Sequence, residues 1–349
     1  FTGLVWLLDG AGTWRKAGWT GWWFGLGYFT TGLYWIANAL LVDPGQFAWA
    51  IPFAVLGLPA VLGLFVAAAT IAAHLVWTPS AFRVLALALA WTGAEWIRGH
   101  WFTGFPWNLV GYTWTWSDPV LQITAVSGIY GLSLLTVFAA AAPAALISGP
   151  APRHPATLIE RWAPLAISFG LLAAVWSGGA LCLGAADAGT VPGVSLRLVQ
   201  ANIPQDLKWE PSERRENLDR HLRLTQQPSG TAPITHVIWP ETAAQFFLDF
   251  EPEVANLIGQ TLGPNRILIT GAPRAEAVLA ADGQSETRLW NSVQAMNGVG
   301  QVIATYDKSH LVPFGEYIPL RRFLAAMGLE KITPGSLDYS QGPGPKTIR

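Results

Sequence analysis

The sequence has little charge and almost no cysteine, and each shortage excludes a class of protein. Its 349 residues include 21 Lys or Arg and 22 Asp or Glu, which gives a formal net charge of −1. A chain so close to neutral offers phosphate no basic face, so a nucleic-acid partner is excluded. One cysteine cannot build a disulfide framework or a thiolate-ligated zinc site. Because the sequence also lacks a P-loop and a His-x-x-x-His pattern, we expect no metal and no cofactor.

Hydrophobic residues are abundant instead, and they are unevenly distributed. Residues 1–190 contain 12 charged side chains and 16 of the 19 tryptophans, whereas residues 191–349 contain 31 charged side chains and three tryptophans. The first part is too apolar for a soluble domain, and the second has an ordinary globular composition. We therefore predict a helical membrane module over 1–190 and a globular domain over 191–349. This excludes a simple cytosolic enzyme and a disordered chain.

Apolar runs of membrane-spanning length recur through the first part. A bilayer core requires about 20 apolar residues per helix. We predict one partial span followed by about five full ones, at residues 1–8, 18–40, 48–76, 82–97, 120–147 and 162–183. Basic residues in the short loops place 9–17, 77–82 and 149–161 in the cytoplasm, which leaves the globular domain on the opposite side of the membrane.

The loop at residues 95–116 contains five tryptophans. The basic residues of the short loops place it on the same side of the membrane as the globular domain. One interpretation is an aromatic belt that anchors a helix end, with Glu95 and Arg98 paired across one helical turn. The other is a lipid-binding loop at headgroup level, in which Trp107 contacts lipid and Arg98 binds a phosphate. Composition alone favours the anchor.

The globular part alternates short β-branched runs with helical patterns. Strands are predicted at 195–203, 235–241, 266–273 and, as a hairpin through Asn297-Gly298, within 288–308; helices are predicted at 212–226, with Ser212 as N-cap, and at 252–262. An Asn-Gly pair between two apolar runs is a strong hairpin signal. The order β-α-β-α-β-β-β predicts a mixed α/β sandwich with helices over a sheet.

Four polar or aromatic residues of this part are candidates for chemistry. Glu241 follows an apolar strand, where open α/β folds bind ligands, although it also suits the first turn of a following helix. Lys308 ends the last strand. It is either half-buried beside a carboxylate such as Glu316, or it is a solvated lysine at the end of a strand. Trp209 is either a core aromatic or the wall of a pocket. We predict that Glu241 and Lys308 lie within direct or one-water reach, lining a pocket at the carboxyl ends of the sheet.

Four segments together resemble the signatures of one family. They are RGHWFTGFPWNLVGY (98–112), VQANIPQDLKW (199–209), WPET (239–242) and YDKSHLVPFGEYIPL (306–320). In this order they resemble the apolipoprotein N-acyltransferases, which are nitrilase-superfamily enzymes of the bacterial inner membrane. The resemblance implies a multispan α-helical membrane module joined to a nitrilase-like α-β-β-α sandwich, with the catalytic domain on the periplasmic side.

The resemblance also implies roles for individual residues. Glu241 matches the general base, Lys308 the lysine that stabilises the oxyanion, Glu316 a supporting glutamate, and Trp209 a tryptophan near the site. The family's nucleophilic cysteine has no match, because it lies further beyond the lysine than this sequence extends. Cys182 cannot replace it, since Cys182 falls inside the last predicted span. We therefore expect the sequence to be truncated at both ends and inactive by itself.

The implied reaction transfers an acyl chain from a phospholipid, through a cysteine thioester, to the N-terminal amine of a diacylglyceryl apolipoprotein. Three alternatives remain. A membrane-tethered amidase of the same superfamily would act on a soluble periplasmic amide. A polytopic transporter or receptor would carry charged or broken helices in the membrane, whereas the predicted spans are nearly free of charge. A pseudoenzyme would have lost its cysteine.

Overall fold

The computed structural model describes residues 1–41, 44–78, 80–147, 157–185, 189–204, 207–208, 210–228, 230, 233–279, 285–319 and 338–348. The chain divides into two compact units, Phe1–Ala188 and Gly189–Arg349. Trp209 lies outside the described residues, so its predicted place at the site stays a prediction.

The first unit is helical. Its α-helices are α1 (Thr2–Asp9), α2 (Trp14–Leu33), α3 (Ala37–Leu40), α4 (Pro44–Phe47), α5 (Leu58–Leu75), α6 (Phe82–His100), α7 (Asp118–Leu121), α8 (Thr124–Ala141) and α9 (Leu158–Ala185). A π-helical turn at Phe53–Gly57 precedes α5, and 3-10 turns lie at Tyr34–Ile36, Ala48–Ala50, Val110–Trp114 and Ala142–Leu146.

Three helical segments of the described chain are long and apolar enough to cross a membrane. They are Ala48–Leu75, Thr124–Leu146 and Leu158–Ala185. These three correspond to predicted spans. The other two predicted spans overlap α2 and α6, whose charged ends and, in α2, repeated glycines lower their hydropathy. That α2 and α6 also cross the bilayer stays a prediction.

Small residues let α2 and α5 approach closely. A Cβ added to Gly25 would lie 2.9 Å from the Cα of Gly63, so the two backbones nearly touch. In a bilayer the hydrophobic effect does not drive helices together, so van der Waals contacts of this kind stabilise their association. Leu62 and Val66 of α5 are buried beside them. Gly63 therefore permits the close packing of α2 and α5.

The described residues of the second unit form a five-stranded mixed sheet with two helices. Its elements are β1 (Leu196–Leu198), α10 (Arg214–Gln226), β2 (His236–Ile238), α11 (Pro252–Leu262), β3 (Ile267–Leu279), β4 (Ser285–Met296) and β5 (Val302–Asp307). The strands lie in sequence order, with β1, β2 and β3 parallel and β4 and β5 added antiparallel. The predicted order of elements is confirmed. Ser212 is not the N-cap, because α10 begins at Arg214 after Glu213, which makes no side-chain capping bond.

The two faces of this sheet have different surroundings. Val237, Leu268 and Met296 lie on one face and are buried in a cluster with apolar residues of α10 and α11. Leu198 and Val293 lie on the other face, where they are 75% and 42% exposed. The described residues therefore form one helical layer and one sheet, which are the first two layers of the predicted α-β-β-α sandwich.

Candidate active site

The backbone after β2 holds Glu241 tightly. Trp239 N–H donates to the Ile269 carbonyl at 2.9 Å, and Gly271 N–H donates to the Pro240 carbonyl at 3.3 Å. A Cβ on Gly271 would lie 2.7 Å from the Cα of Glu241, so only glycine permits this approach. No helix follows, and the interpretation of Glu241 as a first-turn helical residue is wrong.

Strain accompanies this arrangement. Thr242, directly after Glu241, has φ of 52°, a conformation that a β-branched residue adopts only when its surroundings impose it. Phe314, between Lys308 and Glu316, has φ of 65°. Strained residues of this kind concentrate at functional sites.

Lys308 is positioned by the end of β5. Its N–H donates to the Asn291 carbonyl at 2.9 Å. The preceding residue, Asp307, accepts two hydrogen bonds from Arg274, at 3.0 and 2.8 Å, and one from Ser292 at 2.6 Å. A bidentate guanidinium–carboxylate pair fixes direction as well as distance. Since β5 runs parallel to β2 across the sheet, Lys308 emerges at the same edge as Glu241.

The Lys308 ammonium lies between two carboxylates. Its Nζ is 3.2 Å from Glu241 Oε1 and 3.0 Å from Glu316 Oε1. The prediction that Glu241 and Lys308 lie within direct or one-water reach is confirmed, and that they line a pocket stays a prediction. Glu316, eight positions further along the same segment, is the carboxylate partner and not a plain surface acid.

Asn291 completes the cluster, and the sequence reasoning missed it. Its Nδ2 donates to Oε1 of Glu241 and to Oε1 of Glu316, both at 2.7 Å. Asn291 is 9% exposed, in the interior of β4. One amide therefore bonds the same two oxygens that receive the lysine. The strand around it, SETRLWNSVQAM, is largely polar, so no local signal singled out Asn291.

The two carboxylates have different environments. The Glu316 side chain is 10% exposed, and its Oε2 accepts the Val312 N–H at 2.7 Å. The Glu241 side chain is 64% exposed, and within the described residues no hydrogen bond reaches its Oε2. Glu316 is thus a buried, saturated acceptor, whereas Glu241 presents one oxygen outward. This difference suits Glu241 for proton transfer and Glu316 for support.

The charges of the cluster reinforce one another. Burial by itself raises the pKa of Glu241, but the hydrogen bond from Asn291 and the charge of Lys308 outweigh it and hold the pKa below its ordinary value. Burial by itself lowers the pKa of Lys308, but bonding to Glu316 and the charge of Glu241 raise it above its ordinary value. Both groups are therefore ionised throughout the neutral range.

Two further residues reach the cluster. Lys208 Nζ donates to the Glu241 backbone carbonyl at 3.2 Å, and burial lowers the pKa of this lysine. Tyr339 N–H donates to the Glu316 carbonyl at 2.8 Å. Burial, followed by the charges of Glu316 and Glu241, raises the pKa of the Tyr339 phenol. Within the described residues, no three His, Cys, Asp or Glu side chains converge on a metal-sized site.

The other predicted site residues lie in the first unit. Trp107 is 51% exposed and stacks on Trp35, with ring centroids 4.9 Å apart. Arg98 is only 2% exposed, and its Nη1 donates to the carbonyls of Phe105 and Trp107, both at 2.7 Å. The expectation that Arg98 binds a phosphate does not fit this burial. The alternative of a direct Glu95–Arg98 pair does not hold either, because no salt bridge joins them among the described contacts.

The sheet, the lysine between two carboxylates and the helical unit define a membrane protein with a nitrilase-like domain. Residues 195–338 match the family model for the carbon-nitrogen hydrolases. Residues 1–142 match the model for the apolipoprotein N-acyltransferase N-terminal domain.

Curated proteins similar to this chain are named apolipoprotein N-acyltransferase. An apolipoprotein N-acyltransferase of Rhodopseudomonas palustris is 40% identical over 94% of this chain and 62% of its own length. Those of Brucella suis and Bradyrhizobium diazoefficiens are each 43% identical over 95% of this chain and 63% of their own length. The chain is similar to these apolipoprotein N-acyltransferases, and it spans less than two thirds of their length.

Proposed function

We propose that this chain is part of an enzyme that moves an acyl chain from a phospholipid, through a cysteine thioester, to the N-terminal amine of a diacylglyceryl-cysteine apolipoprotein. The contact of Lys308 with Glu241 and Glu316 carries the proposal. It supplies an outward-facing base beside a fixed positive charge. The membrane-spanning helices and the names of the relatives support lipid substrates.

The first half-reaction forms the thioester. Glu241 accepts the proton of a cysteine thiol, and the thiolate attacks the ester carbonyl carbon of the phospholipid. The Lys308 ammonium stabilises the oxyanion of the tetrahedral intermediate. As the intermediate collapses, the carbon–oxygen bond breaks and the lysophospholipid leaves with the proton from Glu241. Cys182 does not supply this thiol in the proposal, because it lies in the candidate span Leu158–Ala185.

The second half-reaction uses the same groups. The α-amine of the apolipoprotein attacks the thioester carbonyl, a carbon–nitrogen bond forms, and the carbon–sulfur bond breaks. Glu241 takes the proton from the amine and returns it to the thiolate. Lys308 lowers the basicity of Glu241, and its charge also favours the thiolate and the oxyanion. Glu316 and Asn291 hold Lys308 and Glu241 in place.

The membrane arrangement is part of the proposal. We place the first unit in the bacterial inner membrane and the second on its periplasmic side, because the basic loops favour that orientation. Trp107 and its neighbours within 101–116 contact lipid at headgroup level, supported by their exposed aromatic surface. A contribution of Trp209 to substrate binding is likewise part of the proposal. Arg98 is given no contact with phosphate.

A two-substrate assay tests the proposed function. The full-length protein in detergent receives a phospholipid with a labelled acyl chain and a diacylglyceryl-cysteine peptide. Label should appear on the peptide amine, and Glu241→Gln should abolish it, whereas Glu253→Gln, an exposed carboxylate of α11, should not. Hydrolysis of soluble amides without acyl transfer would instead identify an amidase.

A further inference from the structure

Two buried charged side chains at the end of α6 hold the backbone that follows it. Arg98 Nη1 donates to the carbonyls of Phe105 and Trp107, both at 2.7 Å. Glu95 Oε1 accepts the Val110 N–H at 2.9 Å and the Trp91 indole N–H at 3.1 Å. One guanidinium and one carboxylate thus fix three points within six residues of irregular chain.

Each of these side chains retains an unused polar atom. Glu95 is 4% and Arg98 2% exposed, and Glu95 Oε2 and Arg98 Nη2 have no hydrogen-bond partner within the described residues. Opposite charges buried without contact are costly unless something joins them. A carboxylate oxygen accepts and a guanidinium nitrogen donates, so one small molecule that does both would satisfy the two atoms.

A cavity of matching size lies beside them. It has a volume of about 10 Å³ and is lined by apolar side chains of α2, α5 and α6 together with Glu95 and Arg98. That volume is about the minimum for one water molecule, which requires two to four polar partners. Phe29, a lining residue, lies under the Arg98 guanidinium at 5.0 Å.

We propose that one buried water bridges Glu95 Oε2 and Arg98 Nη2, and that the bridged pair positions residues 101–111, the aromatic segment. Phe102 and Asn108 have φ of 58° and 56°, so the segment is held in a conformation it would not adopt alone. Phe102 is 93% and Trp107 51% exposed. The pair therefore presents apolar rings outward on a strained backbone. The contact of these rings with lipid rests on the proposed function, whereas the positioning of the segment by the bridged pair does not.

The other end of α6 offers a matched control. Arg83 is also 2% exposed, and its Nη2 donates to the carbonyls of Ala144 and Ile147, at 2.9 and 2.7 Å. It holds a different segment of the same unit. Replacement of either arginine removes the same chemical group from equal burial.

Hydrogen exchange of the full-length protein in lipid nanodiscs tests the positioning role. In Arg98→Met, the amides of residues 105–110 should exchange about tenfold faster or more, because bonds to a charged donor are lost, while residues 142–147 should be unchanged. Arg83→Met should do the reverse. Unchanged exchange at 105–110 in folded Arg98→Met would overturn the proposal. If Arg98→Met fails to fold, Glu95→Leu replaces it; this change removes the acceptor of the Val110 N–H and of the water and should also accelerate 105–110.

Density for the bridging water is the second test. A map of the full-length protein that shows ordered water should contain a peak within hydrogen-bond distance of Glu95 Oε2 and Arg98 Nη2. An empty cavity, or a direct Glu95–Arg98 ion pair, would overturn the bridge. The labelled-phospholipid assay is a separate readout. Faster exchange at 105–110 with unchanged thioester formation would support the positioning of the aromatic segment by Glu95 and Arg98. The same result would contradict the proposed contact of that segment with lipid.

Discussion

Asn291 Nδ2 lies 2.7 Å from Oε1 of Glu241, a contact that joins an interior position of β4 to the loop after β2. The amide can only donate from this nitrogen, so it favours the ionised carboxylate over the neutral acid. A side chain that sequence reasoning did not select therefore helps to keep the proposed base ready to accept a proton.

The first prediction concerns the pH dependence of thioester formation. Asn291 lowers the pKa of Glu241, so Asn291→Ala should raise that pKa and move the acid limb of the pH–rate profile upward by about one unit. Asn291→Asp, which adds a like charge, should move it further. The measurement is the initial rate of thioester formation by the full-length protein at several pH values. An acid limb at the wild-type position in both variants would contradict the assignment.

The same shift predicts how stability changes with pH. The folded-state pKa of Glu241 is depressed, so its interactions stabilise the fold above the ordinary carboxyl pKa of about 4.3 and are lost as pH falls through the folded pKa. Thermal melting of the wild type should therefore decline in acid more steeply than that of Glu241→Gln. Parallel declines would show that Glu241 contributes nothing to acid sensitivity.

The second prediction separates charge from shape at Lys308. Lys308→Met removes the donor to the oxyanion and should reduce thioester formation by about 100-fold or more. Lys308→Arg keeps the charge but places a planar fork where a compact ammonium meets two carboxylates, so it should also fail. Both variants are compared with wild type by quenched-flow labelling. Full activity of the arginine variant would show that position within the cluster is unimportant.

The third prediction distinguishes the two carboxylates. Glu316 is 10% exposed and accepts from Asn291, Lys308 and Val312, so Glu316→Ala should lower the melting temperature by roughly 5 °C or more. Glu241 is 64% exposed, and Glu241→Ala should lower the melting temperature by less than Glu316→Ala does, while losing thioester formation. Scanning fluorimetry and acyl labelling of the same samples compare the pair. A reversal of the two patterns would exchange their roles.

The fourth prediction tests the close backbone approach at Gly271. A Cβ there would overlap the backbone of Glu241 and Thr242, so Gly271→Ala should displace the proposed base. A displacement of about 1 Å reduces rates by about 100-fold, and we expect a loss of at least this order. Gly230→Ala is the control, since a Cβ at Gly230 meets nothing within 4 Å. Equal kinetics of the two variants would exclude a positional role for Gly271.

The fifth prediction concerns lipid contact. If Trp107 contacts phospholipid, Trp107→Ala should slow thioester formation from phospholipid and spare amine attack on a preformed acyl-enzyme. Trp176→Ala is the control, because Trp176 of α9 is 53% exposed, close to the 51% of Trp107. If the aromatic segment is only an anchor, both variants should lose some stability and keep both half-reactions. An equal effect of Trp107→Ala on both half-reactions would also reject the contact of Trp107 with phospholipid.

Local patterns predicted much of the second unit. The apolar spacing and Pro252 gave α11 its observed bounds, and the Asn297-Gly298 turn gave the β4–β5 hairpin. The observed register pairs Ser292 with Asp307 and so sets residue 291 opposite residue 308, whereas a two-residue Asn297-Gly298 turn would set it opposite residue 304. Asn291 was therefore out of reach of sequence reasoning, because its position opposite the lysine depends on the longer turn and the bulge of the folded hairpin.

Other features depend on tertiary contacts that no local pattern reveals. The burial of Arg98 results from the return of residues 105–107 over the end of α6, and sequence spacing alone suggested an exposed helix end. The left-handed backbone of Thr242 opposes the preference of its own side chain and is imposed by β3. The unequal exposure of Glu241 and Glu316 also follows from packing, so the sequence identified both carboxylates but could not separate their environments.

Intact-protein mass spectrometry of the full-length protein incubated with one defined phospholipid tests the central assignment most directly. The wild type should gain the mass of one acyl chain, and hydroxylamine should remove it as a thioester. Glu241→Gln and Lys308→Met should remain unmodified while folding normally. An acyl adduct that forms at the wild-type rate in Glu241→Gln would contradict the account.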